Sequence, residues 1–385
     1  MGETLASGSI MQSLDTLPTP CLLLDEARML RNIARVHGRL AGTDVVYRAH
    51  LKTAKSVEVA RRQMLTPAGP AMVSTLREAE IFADAGVTDI TYGVGIAPDK
   101  LGRVLALRRR GVDLGLILDS VAQAEAVAAA STPGLRLAAL IEIDCDGHRS
   151  GVKPGDAGLM RAIAAALEPA AELRGVLTHG GESYAARGQA ALEAAAEQER
   201  LAVVGAAAIL RAAGYPCPVV SAGSTPTFMS ATSFEGLTEF RAGVCVFFDL
   251  FQAGVGVCGL DDIALSVLAT VIGHQPEKGW TITDAGWMAM SRDRGTAGQP
   301  VDQGYGVVRG LDGAPLGDLI VVGANQEHGI VAPRPGSGGT APDLPIGARV
   351  RVLPNHACAT AAQHDRYHLV RDGGAVAEWP RFGGW

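Results

Sequence analysis

The sequence predicts an α/β fold, a (β/α)8 barrel followed by a separate all-β domain. Three observations carry this expectation. Between residues 20 and 245, β-prone apolar runs alternate with Ala-rich helical stretches, the pattern of βα units around a parallel sheet. After about residue 255 the helical stretches cease and Gly-punctuated strands take over. The chain has 385 residues, 48% of them hydrophobic, which is enough to bury the cores of two domains.

The barrel strands are read at VVYRAHL (from 45), AMVSTL (71), DITYGVG (89), DLGLILDS (113), RLAALIEID (136), LRGVLTH (173), PVVSAGS (218) and LTEFRAG (237). Helical stretches fill the gaps: KSVEVARRQM, LREAEIFADAG, PDKLGRVLALRRRG, SVAQAEAVAAA, DAGLMRAIAAALEPA and a long GQAALEAAAEQERLAVVGAAAILRAAG that stops at Gly214. Eight strands over about 225 residues match the usual size of a (β/α)8 barrel. A doubly wound open sheet is the alternative, and without a GxGxxG after the first strand its dinucleotide-binding form lacks its main support. The second domain reads as LSVLATVIGHQ, GWTITDAG, YGVVRG, LIVVGANQEHGIV, ARVRVLP and RYHLVRDGGAVAEW, with PRPGSGGTAPDLPIG (333 to 347) as a surface loop within it.

A net charge of -6 and the lack of any basic run give no electrostatic footprint for nucleic acid, so small molecules are the expected partners. The first residues, MGETLASGSIMQSLDTLPTP, carry acids and no apolar core of a signal peptide, and no stretch approaches the ~18 apolar residues of a membrane span. The six cysteines show neither CxxC pairs nor framework spacing, which fits a reducing, cytoplasmic compartment.

Barrel chemistry collects at the C-terminal strand ends. There the sequence places His50 and Lys52, then Ser74 and Thr75, Tyr92, Asp119, Glu142, Asp144 and Arg149, Thr178 and His179, and finally Ser221, Gly223, Ser224 and Thr225. Any one of these is equally readable as a helix cap or solvated loop, Asp119 and Thr75 above all. SAGSTPT supplies small residues whose N–H groups and hydroxyls can surround a phosphate where barrels usually bind one. A phosphate facing a strand-end lysine suggests pyridoxal 5′-phosphate held as a Schiff base. Lys52 stands at the strand end with Arg48 and His50 as pocket neighbours, while Lys55 starts the next helix. In the second domain, LPNHACAT sets His356 and Cys358 at i and i+2, on one face of an extended segment; imidazole and thiolate are a zinc-type donor pair, though such spacing also arises by chance.

Taken in order, RAHLKTAKS, EIDCDGHRSGV, LTHGGESY, SAGSTPT, EFRAGVCVFFD, DAGWMAMS, NQEHGI and LPNHACAT resemble the alanine racemase-like, fold-type III pyridoxal-phosphate enzymes. Within them the resemblance is to the D-serine dehydratases, D-threonine aldolases and 3-hydroxyaspartate aldolases or dehydratases, and covers about residues 17 to 385. VLATVIGHQPEKGWTITDAGWMAMSRDRGTA is most similar to the D-threo-3-hydroxyaspartate dehydratases. The resemblance implies an N-terminal segment (1–21) joining the β domain, a cofactor barrel (22–250) and a β domain with a metal site (251–385). It puts the Schiff base on Lys52, a divalent metal (Zn, or Mn, Co, Mg) on His356 and Cys358, and the cofactor among His50, Arg149, His179, Tyr184, Gly223, Ser224 and Thr225. Two departures stand out: RAH replaces the group's usual RPH, and Cys245 stands where tyrosine is common, which alters a contact expected near the phosphate.

The activity implied is a lyase that removes water and ammonia from a D-3-hydroxyamino acid, giving a 2-oxo acid. D-threo-3-hydroxyaspartate is the expected substrate because Arg292 and Arg294 in SRDRGTA offer a planar partner to a β-carboxylate, with Gln326 of NQEHGI beside them by resemblance. The alternatives are a D-serine dehydratase, or a D-threonine or 3-hydroxyaspartate aldolase releasing glycine and an aldehyde. Aldolases of this group usually read HxDP where this chain reads HACAT, which favours dehydration. By the same resemblance the enzyme is expected to be a homodimer.

Overall fold

Eight parallel strands close into a barrel in the sequence order expected: Val46–His50, Ala71–Val73, Asp89–Gly95, Asp113–Leu118, Ala138–Ile143, Glu172–Thr178, Val219–Ala222 and Glu239–Ala242, the last pairing back onto the first. The computed structural model describes residues 12–340 and 343–385. Strands covered on both faces read as continuous apolar runs, and Ala138–Ile143 is buried at every position. The helices follow the predicted gaps, and the longest, Gln189–Ala212, ends before Gly214, whose φ of +92° only glycine adopts easily.

Several strand-end hydroxyls serve as caps. Thr75 accepts the Glu78 N–H at the start of Leu76–Asp84, and Ser224 accepts the Thr227 N–H at the start of Thr225–Ser230. Lys55 differs from expectation. The second barrel-unit helix begins at Val57 with Ser56 as its cap, and Lys55 sits before it in a left-handed turn with φ of +44°. Its ammonium pairs with the buried Glu78 carboxylate at 3.1 Å, and that pairing holds the turn out of the helix.

Helix Glu26–Leu40 has no counterpart in the sequence reading. Its Arg-rich composition hides the apolar face formed by Met29, Ile33, Val36 and Leu40, all buried and spaced three or four residues apart.

The second unit is a ten-stranded sheet in the order Gln12–Ser13, Gly374–Pro380, Arg366–Arg371, Cys21–Asp25, Leu265–Gln275, Trp280–Thr283, Gly329–Pro333, Pro315–Ala324, Gly306–Gly310 and Arg349–Pro354. The long strand Leu265–Gln275 also pairs with Arg349–Pro354. The run LIVVGANQEHGIV folds as a hairpin, and RYHLVRDGGAVAEW turns at Asp372 and Gly373, both with positive φ. The strand Cys21–Asp25 pairs with Leu265–Gln275 and Arg366–Arg371, so the N-terminal segment serves the β sheet beyond the expected boundary at residue 21. One compact unit takes in the described residues up to Asn32, Val246–Gly254 and Cys258–Gly383; the other holds Ile33–Cys245, Val255–Val257 and the last two residues. Residues 1–11 of the N-terminal segment, and 341 and 342 of the expected loop, lie outside the described residues. None of the six cysteines is in a disulfide, and among the described residues no helix is long and apolar enough to cross a membrane.

Candidate active site

In the barrel unit, the predicted residues converge at the C-terminal ends of the strands. The first strand ends at His50, and Lys52 follows in the turn beyond it, exposed. His50 is held far below the usual imidazole range by burial first, then by the Lys52 and Arg241 cations and His179. His179 is likewise pushed down to about 3, again by burial, with Arg149 and Lys52 adding to it. Two neutral imidazoles under the field of one lysine place Lys52, His50, His179 and Arg149 in a single cluster. The tautomer of His179 is set by geometry, since its Nδ1–H donates to the Gly223 carbonyl at 2.7 Å and leaves Nε2 as an acceptor. The Tyr184 ring lies 6.1 Å from that of His179.

Gly223, Ser224 and Thr225 follow the seventh strand. Gly223 has φ of +155°, and a Cβ there would collide with the Arg241 carbonyl. Ser224 Oγ lies 2.9 Å from Ser183 Oγ, joining this loop to the one after the sixth strand.

The strand-end carboxylates prove to be loop anchors. Arg149 is carried on the loop after the fifth strand, where Asp119 accepts the Gly151 N–H (3.0 Å), Glu142 accepts the Ser150 hydroxyl (3.0 Å) and Asp144 pairs with Lys153. Arg48 also departs from expectation. It is spent on Glu239 and Asp89, both at 2.6 Å, tying three strands together inside the barrel, and is not a pocket group. Cys245 is fully buried, with its thiol 3.9 Å from the Tyr47 hydroxyl.

The β unit holds a second cluster. His356 and Cys358 do not share an extended segment: His356 is the extended cap residue of the short helix Ala357–Ala361, and Cys358 lies in its first turn. The helix starts there because the buried Asp249 carboxylate accepts the Ala357 N–H at 2.9 Å. His356 Nδ1 donates to Asp293 Oδ2 at 2.6 Å, and the other oxygen of Asp293 accepts the Gly295 N–H at 2.8 Å. Burial works against protonation of His356, but Asp293, Cys358 and Asp249 together push it up to about 11. Asp293 was missed between the two arginines chosen from the sequence; its signal was there in the alternation SRDRG.

Those arginines part ways. Arg294 donates to Asp302 at 2.7 Å and stacks over Tyr305, whereas Arg292 is exposed with its guanidinium 5.2 Å from the Trp287 ring centroid. Gln326 is exposed on the adjoining hairpin turn, and its carbonyl accepts the Met288 N–H at 3.1 Å. Arg292, Asp293, His356 and Gln326 therefore border the same short segment, 287 to 293.

Both clusters suit the groups expected of them. In the barrel a lysine, a buried His50 Nδ1 without a hydrogen-bond partner and a loop with room only for glycine fit a phosphorylated aldehyde. In the β unit, one imidazole oriented by a carboxylate and one thiol form an N/S donor pair. Among the described residues, no group of three or more His, Cys, Asp or Glu side chains is placed to hold a metal.

Comparison with known proteins places these clusters in context. Residues 24–250 match the alanine racemase N-terminal domain, and residues 264–370 the putative serine dehydratase domain. The chain is 53% identical over 380 residues to D-threo-3-hydroxyaspartate dehydratase of Delftia sp. (strain HT23), covering 98% of this chain and 100% of the relative. It is 28% identical to D-serine dehydratase of Dictyostelium discoideum over 93% of this chain and 95% of that one. Among solved structures, a cysteine-to-alanine mutant of D-threo-3-hydroxyaspartate dehydratase in the metal-free form superposes with a TM-score of 0.94 at 53% identity, over 97% of this chain and 100% of the other.

Proposed function

Because the chain belongs to the family of the alanine racemase N-terminal domain, with a putative serine dehydratase domain following it, we propose that it is a pyridoxal-phosphate- and divalent-metal-dependent dehydratase that converts D-threo-3-hydroxyaspartate to oxaloacetate and ammonia. The observation that supports this most is the presence, in one chain, of a strand-end lysine among neutral imidazoles and an imidazole–thiol pair oriented by a carboxylate.

When bound, pyridoxal phosphate supplies an electron sink for the Cα carbanion, and the metal supplies Lewis acidity for departure of the β-hydroxyl. Lys52 would hold the cofactor aldehyde, and its Nζ is the base that would take the Cα proton. His50 and His179, kept neutral, line that position without adding positive charge that would make Lys52 a weaker base. Gly223, Ser224 and Thr225 hold the phosphate, with Arg149 and Tyr184 closing the sides. His356 Nε2 and Cys358 Sγ would hold the metal, with Asp293 keeping a proton on Nδ1 so that Nε2 is the nitrogen that gives up its proton on binding.

Arg292 would bind the β-carboxylate, since it is exposed with its guanidinium over Trp287, while Arg294 is committed to Asp302. Gln326 borders the same segment and donates to the substrate. Loss of the Cα proton and the β-hydroxyl leaves an enamine whose tautomer takes up water, giving oxaloacetate and ammonia. The enzyme acts as a homodimer in the cytoplasm.

Purified enzyme incubated with a panel of D-3-hydroxyamino acids tests this, with 2-oxo acid, ammonia and glycine assayed before and after chelation. Oxaloacetate and ammonia from D-threo-3-hydroxyaspartate, formed faster than pyruvate from D-serine and lost on chelation, are expected. Faster turnover of D-serine makes it a D-serine dehydratase, and glycine plus an aldehyde makes it an aldolase.

A further inference from the structure

Glu199 lies on the apolar stripe of helix Gln189–Ala212, in line with the buried Leu192, Ala196, Val203 and Leu210, and is itself 1% exposed. A carboxyl on such a face is costly unless it is hydrogen-bonded. Its partners include two backbone amides besides the Thr227 side chain. Glu199 Oε1 accepts the Gly180 N–H at 2.6 Å and the Gly223 N–H at 3.1 Å. Those amides belong to the loops after the sixth and seventh barrel strands, so a single oxygen ties together two neighbouring strand-end corners.

The rest of the network tightens around the same point. The Gly223 carbonyl is held by His179, and the Gly180 carbonyl accepts the Ser183 hydroxyl at 2.6 Å, which in turn reaches Ser224. Glu199 thus fixes the N–H of Gly223, and His179 fixes the carbonyl of the same residue, while Arg241 leaves no room for a side chain there. Burial raises the carboxyl above its usual range, outweighing the Thr227 hydroxyl, the two amides and Arg241.

We propose that Glu199 is a positioning residue that holds the Gly180 and Gly223 corners in register and so gives the Gly223–Thr225 loop the shape that takes the cofactor phosphate. The inference rests on the reading of that loop given under the proposed function.

The test strips the holoenzyme of cofactor and titrates wild type, Glu199→Ala and Glu199→Gln with pyridoxal phosphate and, separately, with pyridoxal, reading bound cofactor by its visible absorbance. Wild type should strongly prefer the phosphorylated form. Glu199→Ala should weaken pyridoxal phosphate binding by about tenfold or more, the worth of one or two hydrogen bonds, with pyridoxal changed by less than about threefold. Glu199→Gln, which keeps an oxygen acceptor, should stay within about threefold of wild type for both. Equal weakening of both ligands in Glu199→Ala, or weakening of neither, overturns the proposal. If Glu199→Ala does not fold, Glu199→Asp takes its place with the same expected and overturning results, because it withdraws the oxygen by one methylene. A wild type indifferent to the phosphate refutes the reading of the loop itself, and the Glu199 role with it.

Discussion

His356 and Asp293 share a hydrogen bond of 2.6 Å from Nδ1 to Oδ2, across 63 residues of sequence. The carboxylate can only accept, so one imidazole proton is held on Nδ1, and Nε2 is the nitrogen whose proton would have to leave for a metal to bind. Asp293 is itself fixed by the Gly295 N–H and held low in pKa, first by His356.

Asp293→Ala should therefore weaken divalent-metal binding by roughly 10–100-fold, the usual cost of losing a carboxylate behind a ligating histidine. Asp293→Asn, which can still accept from Nδ1, should lose less. Competition against a fluorescent chelator measures both, and equal affinity in Asp293→Ala and wild type would show that the ring needs no such partner.

Lys52→Ala should abolish turnover and leave no cofactor attached after borohydride reduction, with the label on wild type found by peptide mass mapping at Lys52. Lys55→Ala should keep the attached cofactor but destabilise the fold by about 1–3 kcal/mol, because it strands the buried Glu78 carboxylate. A label at Lys55 would reverse the assignment.

Arg292→Ala should raise KM for D-threo-3-hydroxyaspartate by roughly 10-fold or more, the loss of a charged hydrogen bond, with a change below about threefold for D-serine. Arg294→Ala removes a half-exposed pair with Asp302 and should change stability by about 0–1 kcal/mol with little effect on either KM. Steady-state kinetics on the two substrates separates the arginines, and equal effects would sink the distinction.

Stability should fall with acid below neutrality. His179 titrates at about 3 when folded and at about 6.5 when unfolded, so the unfolded chain binds the extra proton between those values. Its contribution is complete above about pH 6.5 and is lost as pH falls toward 3, at up to ~1.4 kcal/mol per pH unit; His50, also depressed, acts in the same direction. Urea unfolding at pH 7 and pH 5 should show the loss, and His179→Gln should flatten it.

Most of the architecture was written in local pattern. Alternating β-prone and Ala-rich runs placed all eight barrel strands, and strand ends with Lys52, His50 and His179 marked the open face, because period and composition are properties of neighbouring residues. Helix Glu26–Leu40 escaped since its arginines outweigh a narrow apolar stripe. Glu199 was readable only as an acid on a face otherwise apolar at 192, 196, 203 and 210, a signal that means little until its partners are known.

The sequence by itself determined the fold class and singled out the strand-end lysine and the imidazole–thiol pair, since each depends on residue type and short spacing. Tertiary structure alone decided which acids and cations were left for chemistry. Arg48 is consumed by Glu239 and Asp89, Arg294 by Asp302, and Asp119, Glu142 and Asp144 by one loop, whereas Asp293 and Glu199 gained roles through His356, Gly180 and Gly223. A charge is committed by whatever lies within about 3 Å of it, and that distance is set by the folded chain, not by its order.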